Sequence, residues 1–214
     1  MSSQQTKNFR LIWPGSKPLS VAISDMPDSY IHPWKLREAV RCFRHGGIIA
    51  YPTEAMYGLG CDPLNWHAVQ RLLQLKQRPV EMGLILIAAD FAQLRPFIKP
   101  LPVEKMQPIL ESWPGPNTWL LPAAEGLPFW LRGKHTTLAV RVTDHPIAAT
   151  LSAACGSPLV STSANLNNRN PAQNPTQVRA RLNDESIHIL NGQTGGRKTP
   201  STIRDAETGK VIRG

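Results

Sequence analysis

The sequence predicts an α/β protein, of the mixed α+β kind, in which helices pack on a strongly twisted mixed β-sheet. Short apolar runs of strand length alternate with segments of helical spacing along most of the chain. Of the 214 residues, 41% are hydrophobic, which is enough for one domain with a full core. Many of the 20 prolines flank the apolar runs, so the connections are stiff and the sheet need not be purely parallel.

The first elements are predicted from their patterns and their ends. Apolar side chains recur with helical spacing over residues 33–45, and Gly46-Gly47 ends this helix. The next apolar run, Ile48–Tyr51, is short and is followed by a proline, which predicts a strand. A polar segment containing Gly58 and Gly60 follows, and we interpret it as a loop.

The alternation of strands and helices continues to residue 190. Further strands are predicted at Leu84–Ala89, Trp119–Pro122, Leu138–Val142, Pro158–Val160 and Ile187–Leu190. Further helices are predicted through Val69, Leu72 and Leu73, near Phe91–Ile98, at Pro146–Cys155 and at Thr176–Leu182. Residues 1–32 lack periodicity beyond Leu19–Ile23 and are expected to form an irregular extension or an added edge strand. Residues 33–214 are expected to form a single domain.

Charge and composition narrow the classes of function. The formal net charge is +9, with the excess at the two ends of the chain, which suits a polyanionic partner such as a nucleoside triphosphate or RNA. Three widely spaced cysteines without a C-x-x-C pair favour buried structural thiols over zinc or redox chemistry. The polar first ten residues and the short apolar runs predict a soluble, cytoplasmic protein.

A polar loop follows the first predicted strand. The segment Tyr51–Gly58 holds a hydroxyl, a carboxylate and a phenol beside a glycine, directly after a strand, where open α/β sheets present ligand groups. An ordinary turn in which Glu54 caps a helix accounts for the same residues. The spacing alone leaves both interpretations open.

Two cations, Lys76 and Arg78, close the second predicted helix, and Pro79 prevents its continuation. Cations at a helix C-terminus are commonly explained by the helix dipole. The alternative is phosphate binding, because arginine offers a planar fork to phosphate oxygens and lysine a compact charge. Together they could stabilise a triphosphate while pyrophosphate departs.

A single arginine, Arg141, interrupts the apolar strand Leu138–Val142. Burying it without an anionic partner is costly. It must therefore reach a carboxylate, a phosphate or solvent. A structural salt bridge and a substrate carboxylate are equally consistent with the strand pattern.

The strand at Leu159–Val160 ends in Ser161-Thr162-Ser163-Ala164-Asn165, which is rich in hydrogen-bond donors and could hold phosphate or ribose oxygens. Such clusters are also common turn and cap material. Ser163 lacks G-x-S-x-G surroundings, so it is not expected to be a nucleophile. The phosphate-loop, dinucleotide-turn and H-E-x-x-H motifs are absent from the sequence.

Five motifs taken together resemble the YrdC/TsaC family. They are, in order, Y-P-T-E-A-x-Y-G-L-G-C-D-P, L-K-Q-R-P, W-P-G-P-N-T, L-A-V-R-V-T-D-H-P and S-T-S-A-N. The resemblance runs from about Gly46 to the C-terminus and includes P-S-T-I-R-D at Pro200–Asp205. It implies a YrdC-like three-layer fold of the short, single-domain form.

This resemblance also implies a function, L-threonylcarbamoyladenylate synthesis. Such an enzyme forms threonylcarbamoyl-AMP and pyrophosphate from L-threonine, bicarbonate or CO2, and ATP. Its product feeds N6-threonylcarbamoyladenosine (t6A) formation at adenosine 37 of tRNA. Mg2+ is expected with the ATP, and the implied partners are the proteins that transfer the threonylcarbamoyl group to tRNA.

The resemblance assigns roles to ten residues. The catalytic pair is Lys76 and Arg78. The implied ATP contacts are Lys76, Arg78, Thr137, Ser161, Ser163, Asn165 and Arg213. The implied threonine contacts are Thr53, Arg141 and Thr202. Two positions depart from longer family members, since Ala55 replaces a threonine and Ile87 a histidine, and both are implied threonine contacts.

An RNA-binding protein acting in ribosome or rRNA maturation is the alternative from another class. The positive net charge and the basic concave surface implied by the resemblance support binding of tRNA or double-stranded RNA. RNA binding would weaken steeply with salt and would not depend on threonine. The two functions could coexist in one protein.

Overall fold

The structure is a computed structural model, which describes residues 31–166 and 169–213. The extension predicted at residues 1–32 lies outside the described residues, apart from Ile31 and His32. The apolar run Leu19–Ile23 lies wholly outside them.

Within these ranges the chain forms seven α-helices and nine strands. The helices are α1 (Pro33–Arg44), α2 (Trp66–Lys76), α3 (Phe91–Leu94), α4 (Val103–Glu111), α5 (Phe129–Arg132), α6 (Pro146–Cys155) and α7 (Pro175–Leu182). The strands are β1 (Ile49–Pro52), β2 (Tyr57–Gly60), β3 (Ile85–Ala88), β4 (Asn117–Pro122), β5 (Thr137–Val142), β6 (Leu159–Ser163), β7 (His188–Ile189), β8 (Thr202–Asp205) and β9 (Val211–Arg213). Short 3-10 turns occur at Val80–Met82 and Arg95–Phe97.

All nine strands belong to one mixed sheet with the order β7-β1-β2-β6-β3-β5-β4-β8-β9. The pairs β1/β7, β3/β5 and β4/β8 are parallel, and the remaining neighbours are antiparallel. Central strands β3, β5 and β6 come from distant parts of the sequence. The sheet therefore places side chains near residues 85, 140 and 162 beside one another.

Helices cover both faces of this sheet. On one face α2 and α4 pack on the main core, which includes Leu86, Val140 and Val160. On the other face α1 and α6 pack on β1 and β3 around Tyr51 and Ile87. The predicted α/β fold, with a mixed sheet flanked by helices, is confirmed.

One strand lies where a polar loop is predicted. That prediction is wrong for Tyr57–Gly60, which form β2 between β1 and β6. The glycines hide the strand, because they lack the apolar side chains that a strand pattern needs. A Cβ at Gly60 would lie 2.8 Å from the Tyr51 ring and would also press on the carbonyl oxygen of Val160. Close approach of the neighbouring backbone thus explains glycine here.

Several other elements differ from their predictions because of prolines or short length. The helix predicted near Phe91–Ile98 is divided, since α3 ends at Leu94 and a 3-10 turn containing Pro96 follows. Helix α4 contains Pro108, which obscures its helical pattern. Strand β8 is only partly buried and strand β9 is exposed. Both are short and lack the apolar run that would predict a strand from the sequence.

The structure also bears on the expectations about structural thiols and about membrane-spanning segments. Cys61 is buried, Cys42 and Cys155 are half-buried, and all three thiols are free. Burial raises the pKa of each thiol, which suits inert structural side chains. In the described part of the chain, none of the helices has the length and apolar character needed to cross a membrane.

Candidate active site

A cavity of about 510 Å³ lies over the central strands β3, β5 and β6. Because alternate side chains of a strand share one face, Thr137, Ala139 and Arg141 of β5 line it together, as do Ser161 and Ser163 of β6. The β1–β2 turn, the segment after α2 and the C-terminal strands close its sides. The sheet thus joins motifs that lie far apart in the sequence.

Charged side chains in the cavity lining are mostly cationic. The arginines are Arg78, Arg132, Arg141, Arg197 and Arg213. Among the described lining residues, Glu54 is the only acidic one. A cavity with this charge balance favours ligands that carry several negative charges.

Most of the predicted site residues reach this cavity. Those that line it are Thr53, Arg78, Thr137, Arg141, Ser161, Ser163 and Arg213. The structure does not place Lys76, Asn165 or Thr202 in the lining. Ser201 and Ile203, the neighbours of Thr202 in the sequence, do line it. The proposed contacts with substrates stay predictions for all ten residues.

The two cations at the end of α2, Lys76 and Arg78, point in different directions. Gln77 adopts a left-handed conformation with φ of 49° and caps the helix. The backbone N–H of Arg78 returns to the Leu73 carbonyl at 2.9 Å. Lys76 therefore points into the protein while Arg78 reaches the cavity.

Lys76 does not line the cavity and forms hydrogen bonds to the end of β6. Its side chain is only 5% exposed, and its ammonium donates to the carbonyl oxygens of Ser163 (2.6 Å) and Asn165 (2.7 Å) and to Asn165 Oδ1 (2.9 Å). These acceptors use all three donors of the ammonium. Burial, and then the charge of Arg78, lower the pKa of Lys76 to about 8. The ammonium thus bonds the β6 turn, not the carbonyls of its own helix.

The β6 turn is fixed further by Asn165. Its side-chain amide donates to the backbone carbonyl oxygens of Leu166 (2.9 Å) and Arg169. Ser163 faces the cavity, whereas Asn165 is buried behind it. The hydroxyl of Ser163 is therefore presented on a turn that Lys76 and Asn165 hold in place.

Arg78 and Arg213 form a cationic part of the cavity that we call the arginine group. Arg78 donates to the Gly83 carbonyl at 2.9 Å, and its buried Nε has no hydrogen-bond partner. Burial and the charge of Arg213 lower the pKa of Arg78. Burial and the charge of Arg141 lower that of Arg213. Because Arg213 disfavours the charged form of Arg78, and Arg141 that of Arg213, a bound anion near these cations is favoured.

Arg141 and Glu54 form an ion pair that we call the paired group. Arg141 Nη2 lies 3.1 Å from Glu54 Oε2, and the side chains are 8% and 7% exposed. Thr143 Oγ1 donates to Glu54 Oε1 at 2.6 Å. Burial raises the pKa of Glu54, but Arg141 and Thr143 outweigh it, so the pKa is lowered. The structural salt bridge left open for Arg141 exists, yet Arg141 also lines the cavity.

The β1–β2 turn and a C-terminal segment hold each other beside the paired group. Thr53 Oγ1 donates to the Met56 carbonyl at 2.7 Å and closes the turn. The backbone N–H groups of Gly195 and Arg197 donate to the carbonyls of Thr53 and Glu54, each at 3.0 Å. Glu54 does not cap a helix, since Asn65 caps α2. The loop interpretation that places Glu54 in a ligand-lining position fits the structure.

Several lining residues have no counterpart among the predicted ones. Arg132, His135 and Arg197 line the cavity, although none belongs to the five motifs. Arg132 closes a four-residue helix that has no clear pattern. The only local signal for Arg197 is Gly195-Gly196 before it, which indicates a tight loop.

The two positions that depart from longer family members have different surroundings. Ala55 lines the cavity. Ile87 is fully buried in the cluster between β3 and α6, and it is not part of the lining. Because Ile87 pairs with Arg141 across β3 and β5, a polar residue there would lie beside the paired group.

The described residues contain no cluster of three or more His, Cys, Asp or Glu side chains that could hold a metal ion. Glu54 is already paired with Arg141. Mg2+ often uses only one or two carboxylates and takes its remaining ligands from substrate phosphates and water. The cavity therefore fits a magnesium ion carried by a nucleotide better than one held by the protein alone.

Comparison with known proteins identifies the family. The model of the Sua5/YciO/YrdC family, described as "Telomere recombination", matches residues 41–214. A curated protein of Nitrosococcus oceani named threonylcarbamoyl-AMP synthase is 52% identical over 180 residues, which are 84% of this chain and 97% of that protein. A protein of the same name from Pseudomonas aeruginosa is 51% identical over 183 residues, covering 86% and 98%.

Solved structures show the same fold. P. abyssi Sua5 complexed with L-threonine has a TM-score of 0.75 at 35% identity, over 82% of this chain. The match covers 52% of that protein, so the chain spans about half its length. E. coli YciO has a TM-score of 0.72 at 28% identity, covering 86% of this chain and 90% of that protein.

Proposed function

Because the chain belongs to the Sua5/YciO/YrdC family, we propose that it is a threonylcarbamoyl-AMP synthase. The reaction joins L-threonine, bicarbonate or CO2, and ATP, and releases pyrophosphate. Relatives that carry this name match the chain over almost their whole length. The product serves t6A formation at adenosine 37 of tRNA in the cytoplasm, through proteins that transfer the threonylcarbamoyl group.

The observation that carries this proposal is that Arg78, Ser163 and Arg141 line one cavity. A triphosphate and an amino-acid carboxylate must lie side by side for the reaction, and both are anionic. Five arginines in the lining provide the charge to hold them together against their mutual repulsion. The neutral hydroxyls of β6 add donors for phosphate or ribose oxygens.

The proposed chemistry needs no covalent enzyme intermediate. The amine of threonine adds to CO2 and loses protons to give a carbamate. A carbamate oxygen attacks the α-phosphorus of ATP, and the bond from this phosphorus to the bridging oxygen breaks. Pyrophosphate leaves with the electron pair of that bond. Arg78 and Arg213 stabilise the charge that develops on the phosphate oxygens.

Lys76 and Asn165 contribute through Ser163 in this proposal. Lys76 holds the carbonyl oxygens on both sides of the β6 turn, so its removal would displace the hydroxyl that faces the nucleotide. Mg2+ neutralises phosphate charge when bound. We expect oxygens of the triphosphate, water and lining hydroxyls to be its ligands, because Glu54 is engaged by Arg141.

Pyrophosphate release measured with the purified protein tests the function. We expect release only when threonine, bicarbonate and ATP are all present, with threonylcarbamoyl-AMP detected by mass spectrometry. Reactions that lack one substrate at a time are the controls. Pyrophosphate release without threonine, or none with all three substrates, would contradict the proposal.

RNA binding is supported by the net charge of +9 and by the basic concave surface that the family resemblance implies. Several of the arginines responsible lie in the cavity, where they are suited to small anions. Titration of the protein with tRNA and double-stranded RNA at rising salt would measure any affinity. Tight RNA binding together with absent pyrophosphate release would favour the RNA-binding alternative.

A further inference from the structure

Residues 191–201, between β7 and β8, carry part of the cavity lining, and we call them the lining segment. Arg197, Thr199, Pro200 and Ser201 of this segment line the cavity. Most residues of the segment are exposed, so burial of its own side chains contributes little to its position. Hydrogen bonds to the rest of the protein must therefore keep these four residues at the cavity.

Two buried side chains bond the start of the lining segment. The hydroxyl of Tyr57, which is fully buried on β2, donates to the Gly192 carbonyl oxygen at 2.6 Å and accepts from the Gly192 N–H at 3.0 Å. His145 Nε2 lies 3.0 Å from the carbonyl oxygen of Gln193 and is therefore the donor of that bond. The Tyr57 hydroxyl thus holds both backbone groups of one residue, which a phenylalanine could not do.

Close packing also limits where Gly192 can lie. A Cβ at this position would press on the Ile147 side chain and lie 3.1 Å from Pro52 Cγ. The backbone of Gly192 therefore runs directly against β1 and α6. Packing and the Tyr57 hydroxyl together fix the point from which the lining segment begins.

The backbone of Tyr57 connects this point to another wall of the cavity. The Ala164 N–H donates to the Tyr57 carbonyl, and the Tyr57 N–H donates to the Ala172 carbonyl, each at 2.8 Å. Ala164 belongs to the β6 turn, directly after Ser163, which lines the cavity. Tyr57 therefore joins the lining segment to the β6 turn, although Gly192 lies 135 positions away from it.

We propose that Tyr57 is a positioning residue, whose hydroxyl fixes the lining segment relative to the β6 turn and so keeps Arg197 and its neighbours at the cavity. The proposal rests on the proposed function, in which arginines of the lining hold ATP. It adds a residue that acts through another part of the chain. Burial raises the pKa of Tyr57, so its hydroxyl keeps the proton that it donates at neutral pH.

A direct contact with substrate is the alternative role, because Tyr57 also borders the cavity. Its side chain is fully buried, however, and its hydroxyl is engaged by Gly192. A substrate could use this hydroxyl only by displacing Gly192. The two roles differ in a measurable way, since only positioning requires the lining segment to move when the hydroxyl is removed.

Tyr57→Phe, which keeps the ring and removes the hydroxyl, tests the proposal in the full chain by two measurements. We expect the amides of Gly195 and Arg197, which donate to the β1–β2 turn, to exchange hydrogen roughly 10-fold faster or more, the effect of losing one or two hydrogen bonds. We expect kcat/KM for ATP in pyrophosphate release to fall by about 10-fold, because the groups that position the substrate are displaced.

Ser152→Ala is the matched control. The buried Ser152 hydroxyl also accepts from a backbone N–H, that of Ala89 at 3.2 Å, and donates to a backbone carbonyl, that of Ser157 at 3.0 Å, but it does not line the cavity. This variant should lose unfolding stability to a similar extent. Exchange at Gly195 and Arg197 and kcat/KM for ATP should stay as in the wild type.

Two results with Tyr57→Phe would overturn the proposal. Lower kcat/KM with unchanged exchange would show that Tyr57 acts by direct contact, and faster exchange with normal kcat/KM would show that the position of the segment does not matter. Should the variant fail to fold, the wild type decides: ATP should slow exchange at Gly195 and Arg197, and no slowing overturns the proposal.

Failure of the proposed function gives a different result. Absent pyrophosphate release in the wild type would contradict that function alone. ATP affinity measured by calorimetry then replaces kcat/KM as the second measurement. A loss of about 10-fold in Tyr57→Phe would support the positioning role, and an unchanged affinity would overturn it.

Discussion

The arginine group and the paired group line one cavity but differ in how their charges are balanced. Burial and the charge of Arg213 lower the pKa of Arg78, and Glu54, the only acidic residue of the described lining, is paired with Arg141. Arg141 already has Glu54 at 3.1 Å. The first arrangement is stabilised by adding an anion, whereas the charge of the second is already balanced. We infer that the first receives the phosphates and the second the amino acid.

The largest expected effect is on the arginine group. Arg78→Ala should lower turnover by about 100-fold or more, the scale of losing a donor that stabilises transition-state charge. Pyrophosphate release measures this effect, and Lys198→Ala is a control, because Lys198 is exposed and lies outside the lining. Near-normal turnover in Arg78→Ala would remove the arginine group from the mechanism.

A double-mutant cycle tests whether Lys76 acts through Ser163. We expect Lys76→Met to lower turnover by about 10-fold or more, as removal of a positioning contact can do. If Lys76 only presents Ser163, the cost of Ser163→Ala should shrink in the Lys76→Met background, because residues in one network are not additive. Full additivity in the turnover measurements would instead support a direct contact of Lys76 with the nucleotide.

The same lysine predicts a dependence of stability on pH. Its pKa is about 8 in the folded protein against 10.5 ordinarily, so folding releases a proton between these values. The contribution is fully present above pH 10.5 and is lost as pH falls through 8. Between pH 8 and pH 10.5, the unfolding free energy of the wild type relative to Lys76→Met should therefore rise by about 1.4 kcal/mol per pH unit. Urea unfolding at several pH values checks this, and a flat difference contradicts it.

A smaller effect is expected at the rim of the cavity. Arg197 is exposed, although its backbone is fixed to Glu54. Arg197→Ala should raise the KM for ATP by about twofold to fivefold, in keeping with a charge contact open to solvent. Lys198→Ala, its neighbour outside the lining, should leave this KM unchanged. Equal effects of both variants would mean that Arg197 contributes only to the general charge.

The sequence allows the arginine group to be predicted better than the paired group. Arg78 of this group lies two positions after Lys76, at the end of a helical pattern, and phosphate binding is one of the two interpretations that this pattern allows. Their opposite directions depend on the left-handed Gln77, which no periodicity reveals. The pairing of Glu54 with Arg141 joins positions 87 residues apart through the order of the strands. Sequence patterns alone leave the partner of Arg141 open for this reason.

The elements of the fold, too, are predictable from local sequence patterns in some places and not in others. Apolar strands and helices with clear spacing are predicted near their observed places, as at Leu138–Val142 and Pro146–Cys155. Strand β2 is missed because of its glycines, and Gly60 is required by close packing against Tyr51 and Val160, a tertiary cause. The C-terminal strands are short and partly exposed, so their place follows from pairing with β4 and not from local pattern.

The most direct test of the two regions is calorimetric titration of ATP and of L-threonine into Arg78→Ala and Glu54→Gln. We expect Arg78→Ala to lose about 10-fold or more in ATP affinity, the effect of removing a charged hydrogen-bond donor, with little change for threonine. Glu54→Gln should show the reverse, because Arg141 then loses the carboxylate that fixes its position. Equal losses for both ligands in each variant would contradict the division of the cavity.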